Sequence, residues 1–182
     1  MLTREAVRIV GIMLMQFPAA ALAQAHARRT DAVPPQILEH IRRDTTWQPR
    51  VERFRDSLPF LLIAERVDLN GDSIPELIIR GQGRICEANN CYLWIYRRTS
   101  AGYERLLEDI VQSLEPLATV SHGYRDVRTW HHGSAWDGDV TIYKFDGRQY
   151  QPARCFDSSY RYVDSLGAPH DLKRPRNTPH PC

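Results

Sequence analysis

The chain lacks an excess of charge of one sign: 24 Lys and Arg stand against 22 Asp and Glu, for a formal net charge of +2. Basic and acidic residues are interleaved, which argues against the one-faced basic footprint of a nucleic-acid binder. An apolar run long enough for a membrane span is also missing. The longest, Ile9 to Leu22, falls short of the ~20 residues a transmembrane helix needs. There is no HExxH pair and no recognisable nucleophile elbow, so two common hydrolase signatures are absent. Cysteine is sparse, at four residues, without the tight pairs of a structural zinc site. None lies near the amino terminus, which argues against a lipid-modified start.

What is present begins with an address. Arg4 and Arg8 precede the apolar run, and Ala21-Leu22-Ala23 is a small-x-small cleavage site, the layout of a secretory signal peptide. Residues 1–23 are therefore expected to be removed, leaving a periplasmic or secreted protein that starts at Gln24 and has no stable membrane anchor. Removal of Arg4, Arg8 and Glu5 lowers the net charge by one, and residues 24–182 are about one domain. The cysteines agree with export. Cys86, Cys91, Cys155 and Cys182 allow three connectivities. Cys86 and Cys91 flank the polar loop Glu87-Ala88-Asn89-Asn90, which can bring them together. Cys155 and Cys182 would then pair and pin the tail.

Residues 24–33 read as a flexible leader. Within 34–58, Pro34 and Pro35 suit a helix start, and Ile37, Leu38 and Ile41 repeat at helical spacing. Val51, Phe54 and Leu58 form a second apolar stripe. Residues 59–160 read as β, from Phe60-Leu61-Leu62-Ile63-Ala64 onward. Cys91 to Tyr96 turns at Ser100-Ala101-Gly102 toward Tyr103, and Val140 to Phe145 turns at Asp146-Gly147 toward Tyr150, a strong hairpin signal. These two hairpins have the same Tyr spacing, seven residues from Tyr96 to Tyr103 and from Tyr143 to Tyr150. Asn70-Gly71 and Glu76-Leu77 in the first half match His122-Gly123 and Asp126-Val127 in the second. An offset of about 50 residues is that of one four-stranded, blade-like unit. The expected fold is mainly β (α+β): a curved antiparallel sheet or small sandwich, with two blade-like repeats and amino-terminal helices on one face. Residues 161–182, with Lys173-Arg174-Pro175-Arg176, read as a solvated Pro/basic tail.

The chemistry concentrates in Asp68-Leu69-Asn70-Gly71-Asp72-Ser73-Ile74-Pro75-Glu76. Oxygen-bearing side chains at its first, third, fifth and ninth positions suit one hard cation, with a carbonyl near the seventh filling the gap. Three carboxylates in one loop repel unless a positive charge joins them. The twelfth position is Ile79, so this is no EF-hand. The segment resembles the calcium loop of FG-GAP or VCBS-type β repeats. Together with the Cys-loop-Cys and the hairpin Tyr143-Lys144-Phe145-Asp146-Gly147-Arg148, the chain resembles exported bacterial proteins carrying a single such loop. The resemblance implies calcium held by Asp68, Asn70, Asp72 and Glu76, with the carbonyl of Ile74 between. Ser73 stands where glycine is usual in that family, and a left-handed non-glycine residue costs about 1 kcal/mol. The second copy, Ser121 to Asp126, lacks the carboxylates and is expected to bind nothing.

No catalytic residue is assigned. His122 with Asp126 is a conceivable acid–base pair, and Ser121 and Ser134 are conceivable nucleophiles, but none sits in a motif. His131 and His132 are adjacent and point to opposite faces of a strand. Trp130, His131, His132 and Trp136 instead suggest a recognition surface, since tryptophans around a polar loop can stack on sugar rings or fill a partner's pocket. The sequence therefore reads as a non-catalytic binding or inhibitory module of the bacterial envelope, stabilised by calcium, with an envelope protein or glycan as partner. An envelope hydrolase acting on cell-wall or sugar polymers and a structural assembly subunit are the alternatives.

Overall fold

Leu77 and Ile79 face one way along their strand and Ile78 the other, and all three are buried. Apolar side chains on both faces of a strand require cover on both sides, and the fold provides it in three layers. The computed structural model describes residues 30–44 and 52–182; the expected signal peptide and most of the leader lie outside these residues. The elements are β1 (Thr30–Asp31), α1 (Pro35–Arg43), α2 (Leu58–Leu61), β2 (Leu62–Val67), β3 (Glu76–Gly81), β4 (Cys91–Thr99), β5 (Gly102–Val111), β6 (Ser113–Ser121), β7 (Tyr124–His132), β8 (Asp137–Phe145), β9 (Tyr150–Val163) and β10 (Pro169–His180). They form two antiparallel sheets, ordered β1-β2-β3-β4-β5 and β10-β9-β8-β7-β6. One of them curls into a half-barrel.

The first core lies between α1 and the first sheet. Ile37 and Ile41, one helical turn apart, pack with Leu58, Leu62, Ala64, Leu77, Ile79, Tyr92, Trp94 and Tyr96. The second core lies between the sheets. Ile78, Leu93, Ile95 and Leu107 meet Leu114, Tyr124, Val127, Phe145 and Tyr150, with Leu69 inserted from the loop after β2. The first sheet is thus covered on both faces, one by helix and one by the second sheet.

The expected duplication has a structural counterpart. β2 to β5 and β6 to β9 are each a four-stranded meander, and the two tyrosine pairs occupy the β4–β5 and β8–β9 hairpins. Each meander has gained one edge strand, β1 in the first sheet and β10 in the second. Both disulfides form as expected, Cys86–Cys91 and Cys155–Cys182.

Three boundaries differ from the sequence reading. Phe60 and Leu61 belong to α2 rather than a strand, because Pro59 fits a first helical turn and pairing starts only where Leu62 faces Gly81. Thr30 and Asp31, assigned to the leader, pair with Glu65 and Ala64, and Arg66 fixes Asp31 at 2.5 Å. The supposed tail is β10. It is an edge strand, where proline is tolerated, and its pairing breaks between Asp171 and Arg176, around Pro175. Of the second helical stripe, Val51 lies outside the described residues, Phe54 caps a 3-10 turn at Arg55–Ser57, and Leu58 is buried.

Candidate functional site

The loop from Asp68 to Pro75 is closed by its own side chains. Asp68 accepts the N–H of Gly71 on Oδ1 (2.7 Å) and of Ser73 on Oδ2 (3.0 Å). Asn70 Oδ1 accepts the N–H of Asp72 (3.0 Å), and Asp72 Oδ1 accepts that of Ile74 (2.7 Å). The oxygens at the first, third and fifth positions are therefore turned over the loop, and each retains lone-pair capacity. Ser73 adopts the expected left-handed conformation, at φ 67°.

Glu76 is the deepest of the set, 3 % exposed. Its Oε2 accepts the N–H of Leu69 at 2.8 Å. Burial pushes its carboxyl above the usual glutamate range, the Leu69 N–H opposes that, and the charges of Asp72 and Asp68 add to it. Among the described residues, no Lys, Arg or His forms an ion pair with Asp68, Asp72 or Glu76. Three carboxylates, an amide oxygen and the Ile74 carbonyl are oxygen donors of the type a hard divalent cation takes. Among the described residues the three carboxylates do not converge tightly. The group that does is Asp139, Asp157 and His180, whose ligand atoms lie within 4.8 Å of one another on an exposed face.

The loop also grips the second sheet. The carbonyl of Leu69 accepts the N–H of Arg125 at 2.7 Å. Asn70 Nδ2 donates to the Tyr124 hydroxyl at 3.1 Å, and that hydroxyl reaches Glu76 Oε1 at 3.4 Å. In the second unit the corresponding connection is the two-residue turn His122-Gly123, with φ 47° and 83°. His122 Nδ1 lies 2.8 Å from the Phe145 carbonyl, while Asp126 accepts from Thr119 Oγ1 at 2.7 Å. The conceivable His122–Asp126 pair is not formed. Ser134 Oγ donates to Asp137 and accepts the N–H groups of Trp136 and Asp137, the bonding of a turn residue.

The four residues of the expected recognition surface separate. Trp130 lines a groove of about 350 Å³ on the second sheet, with Glu115, Arg128, Ser158, Tyr160 and Asn177. His131 points to the opposite face of its strand, where Nδ1 lies 3.5 Å from Asp139 and Nε2 lies 3.2 Å from Asn90 Nδ2. His132 is held by its backbone, its N–H donating to Asn90 Oδ1 (2.7 Å) and its carbonyl accepting from Asn90 Nδ2 (2.8 Å). Trp136 sits in the β7–β8 turn with the Arg161 guanidinium 4.1 Å above its ring. Asn90, in the Cys86–Cys91 loop, thus ties the first sheet to β7. Sequence reasoning missed Tyr160, the second aromatic of the groove. The alternation of Ser158 and Tyr160 along β9 was its only signal.

Compared with family models, curated proteins and solved structures, the chain matches none.

Proposed function

We propose that this chain is an exported, non-catalytic binding module of the bacterial envelope, organised by one calcium ion in the FG-GAP-like loop Asp68–Glu76. The observation that carries the reading is where the loop sits: Leu69 is fully buried between the sheets, and Asn70 and Glu76 share the Tyr124 hydroxyl of the second sheet. Asp68, Asn70, Asp72, Glu76 and the Ile74 carbonyl would hold the ion. When bound, it would neutralise the carboxylates and brace one sheet against the other. The two disulfides support an oxidising compartment. No helix among the described residues is long and apolar enough to cross a membrane.

Thermal unfolding with millimolar calcium or with chelator tests the reading. Extracellular modules bind calcium at about 10⁻⁴ to 10⁻³ M. At ten times the dissociation constant linkage adds about 1.4 kcal/mol, and at 100 times about 2.7 kcal/mol, which for the tighter end of that range means about 1 and about 10 mM calcium. The expected outcome is a higher melting temperature in calcium, abolished by Asp72→Ala and shifted to higher calcium concentrations by Tyr124→Phe. Identical melting in calcium and in chelator would overturn the calcium reading.

A further inference from the structure

The groove of the second sheet has a flat aromatic floor made possible by one glycine. A Cβ at Gly138 would lie 2.5 Å from Trp130 Cζ2 and 2.9 Å from Cε2. The indole therefore rests on the β8 backbone, and Trp130 lines the groove above it. Tyr160 stands edge-on to that ring, with centroids 6.4 Å apart at 74°. Planar polar groups surround the pair. Arg128 is bonded to Glu115, and Ser158 Oγ donates to Asn177 Oδ1 at 2.7 Å, so the Asn177 amide N–H groups stay available as donors.

We propose that this groove binds a neutral pyranose unit of a β-linked glycan, a ligand class that rests on the binding-module reading above. A pyranose with equatorial hydroxyls carries an apolar C–H face, which matches the indole. Its hydroxyls radiate in the ring plane, where the Glu115 carboxylate accepts and Arg128 and Asn177 donate. The Arg128–Glu115 pairing leaves the groove without a surplus charge, which favours a neutral sugar over a phosphorylated or uronic one. The volume, about 350 Å³, is at the small end of ligand pockets, roughly 300–1,000 Å³, which suits a short stretch of chain rather than a folded partner.

Isothermal titration of the mature protein with cellotetraose and with N-acetylated chitotetraose is the test, with β-1,4-linked tetraglucuronate as the anionic arm. Binding of at least one neutral tetramer is expected, tighter than that of tetraglucuronate. Tyr160→Ala, at a residue 39 % exposed and so tolerant of truncation, should weaken binding about tenfold. Trp136→Ala should leave it unchanged, because Trp136 lies outside the groove. No binding of either neutral tetramer at about 10 mM, preference for the anionic one, or an unaltered affinity in Tyr160→Ala would overturn the proposal. Each titration is paired with the calcium melting shift. Lost sugar binding with an intact shift refutes only the groove, and an absent shift with intact sugar binding refutes only the calcium loop.

Discussion

The two meanders share one strand order and differ most in a single connection. Between β6 and β7 the chain reverses through His122-Gly123, two residues in left-handed conformations, the geometry that matches the natural twist of a hairpin. Between β2 and β3 the same reversal takes residues 68–75 and places Leu69 in the core between the sheets. The short turn ends one sheet locally. The long loop reaches across and holds the other. The comparison teaches that the extra residues of the first unit serve the contact between units rather than the hairpin they close. Their polar side chains are the accompaniment of that reach: the carboxylates of Asp68 and Asp72 and the amide oxygen of Asn70 accept loop N–H groups that no strand partner satisfies.

The sharpest way to break this comparison is Leu69→Ala. A fully buried leucine reduced to alanine costs about 2–5 kcal/mol, because the remaining cavity lies between two sheets that cannot close fully on it. Denaturant unfolding should show that loss. A cost below about 0.5 kcal/mol, the ordinary scale of a surface change, would mean that the loop does not brace the sheets.

The next effect is on pH dependence, whose sign at the loop should depend on whether calcium is present. Burial raises the Glu76 carboxyl above its ordinary value, so the folded state binds that proton more tightly than the unfolded chain. In chelator, stability should therefore fall as pH rises from the ordinary glutamate range through the raised one. With calcium the contribution of Glu76 should reverse, since the ion needs the ionised carboxylate. Melting curves between pH 4 and pH 8, about the span of such titrations, measure both slopes. Glu108, whose carboxyl burial pushes up to about 7, adds a slope of the same sign, so Glu76→Gln should reduce the chelator slope without abolishing it, and a slope unchanged by the substitution would remove Glu76 as a source.

The smallest effect compares two left-handed residues. Ser73→Gly relieves a φ of 67° and should stabilise by up to about 1 kcal/mol. His122→Gly relieves a φ of 47° but also removes the bond from Nδ1 to the Phe145 carbonyl, so its gain should be smaller or reversed. Paired melting measurements decide the order, and a larger gain at 122 than at 73 would contradict the contact seen for His122.

Much of the local structure was legible. Asp146-Gly147 announced a hairpin because a tight turn needs a left-handed residue. Ile37 and Ile41 announced a helical face because one turn separates them, while the left-handed φ of Ser73 was implied only by the loop resemblance, in which glycine stands at that position. The boundaries were less legible. Pro169, Pro175 and Pro179 looked like a solvated tail, yet an edge strand leaves one row of its backbone groups unpaired and so accepts proline. Phe60 looked like a strand residue by composition, but it is 79 % exposed in a helical turn.

By itself the sequence determined the β character, the pairing options of four cysteines and a loop crowded with oxygen donors, since each depends on residues close together in the chain. Only the tertiary structure decided which residues face one another across strands. It set Tyr160 beside Trp130 and sent His131 and Trp136 elsewhere. It also placed the loop against Tyr124, 48 residues from Glu76. Those contacts depend on register and sheet stacking, and a one-residue shift of register moves every side chain to the other face of its strand.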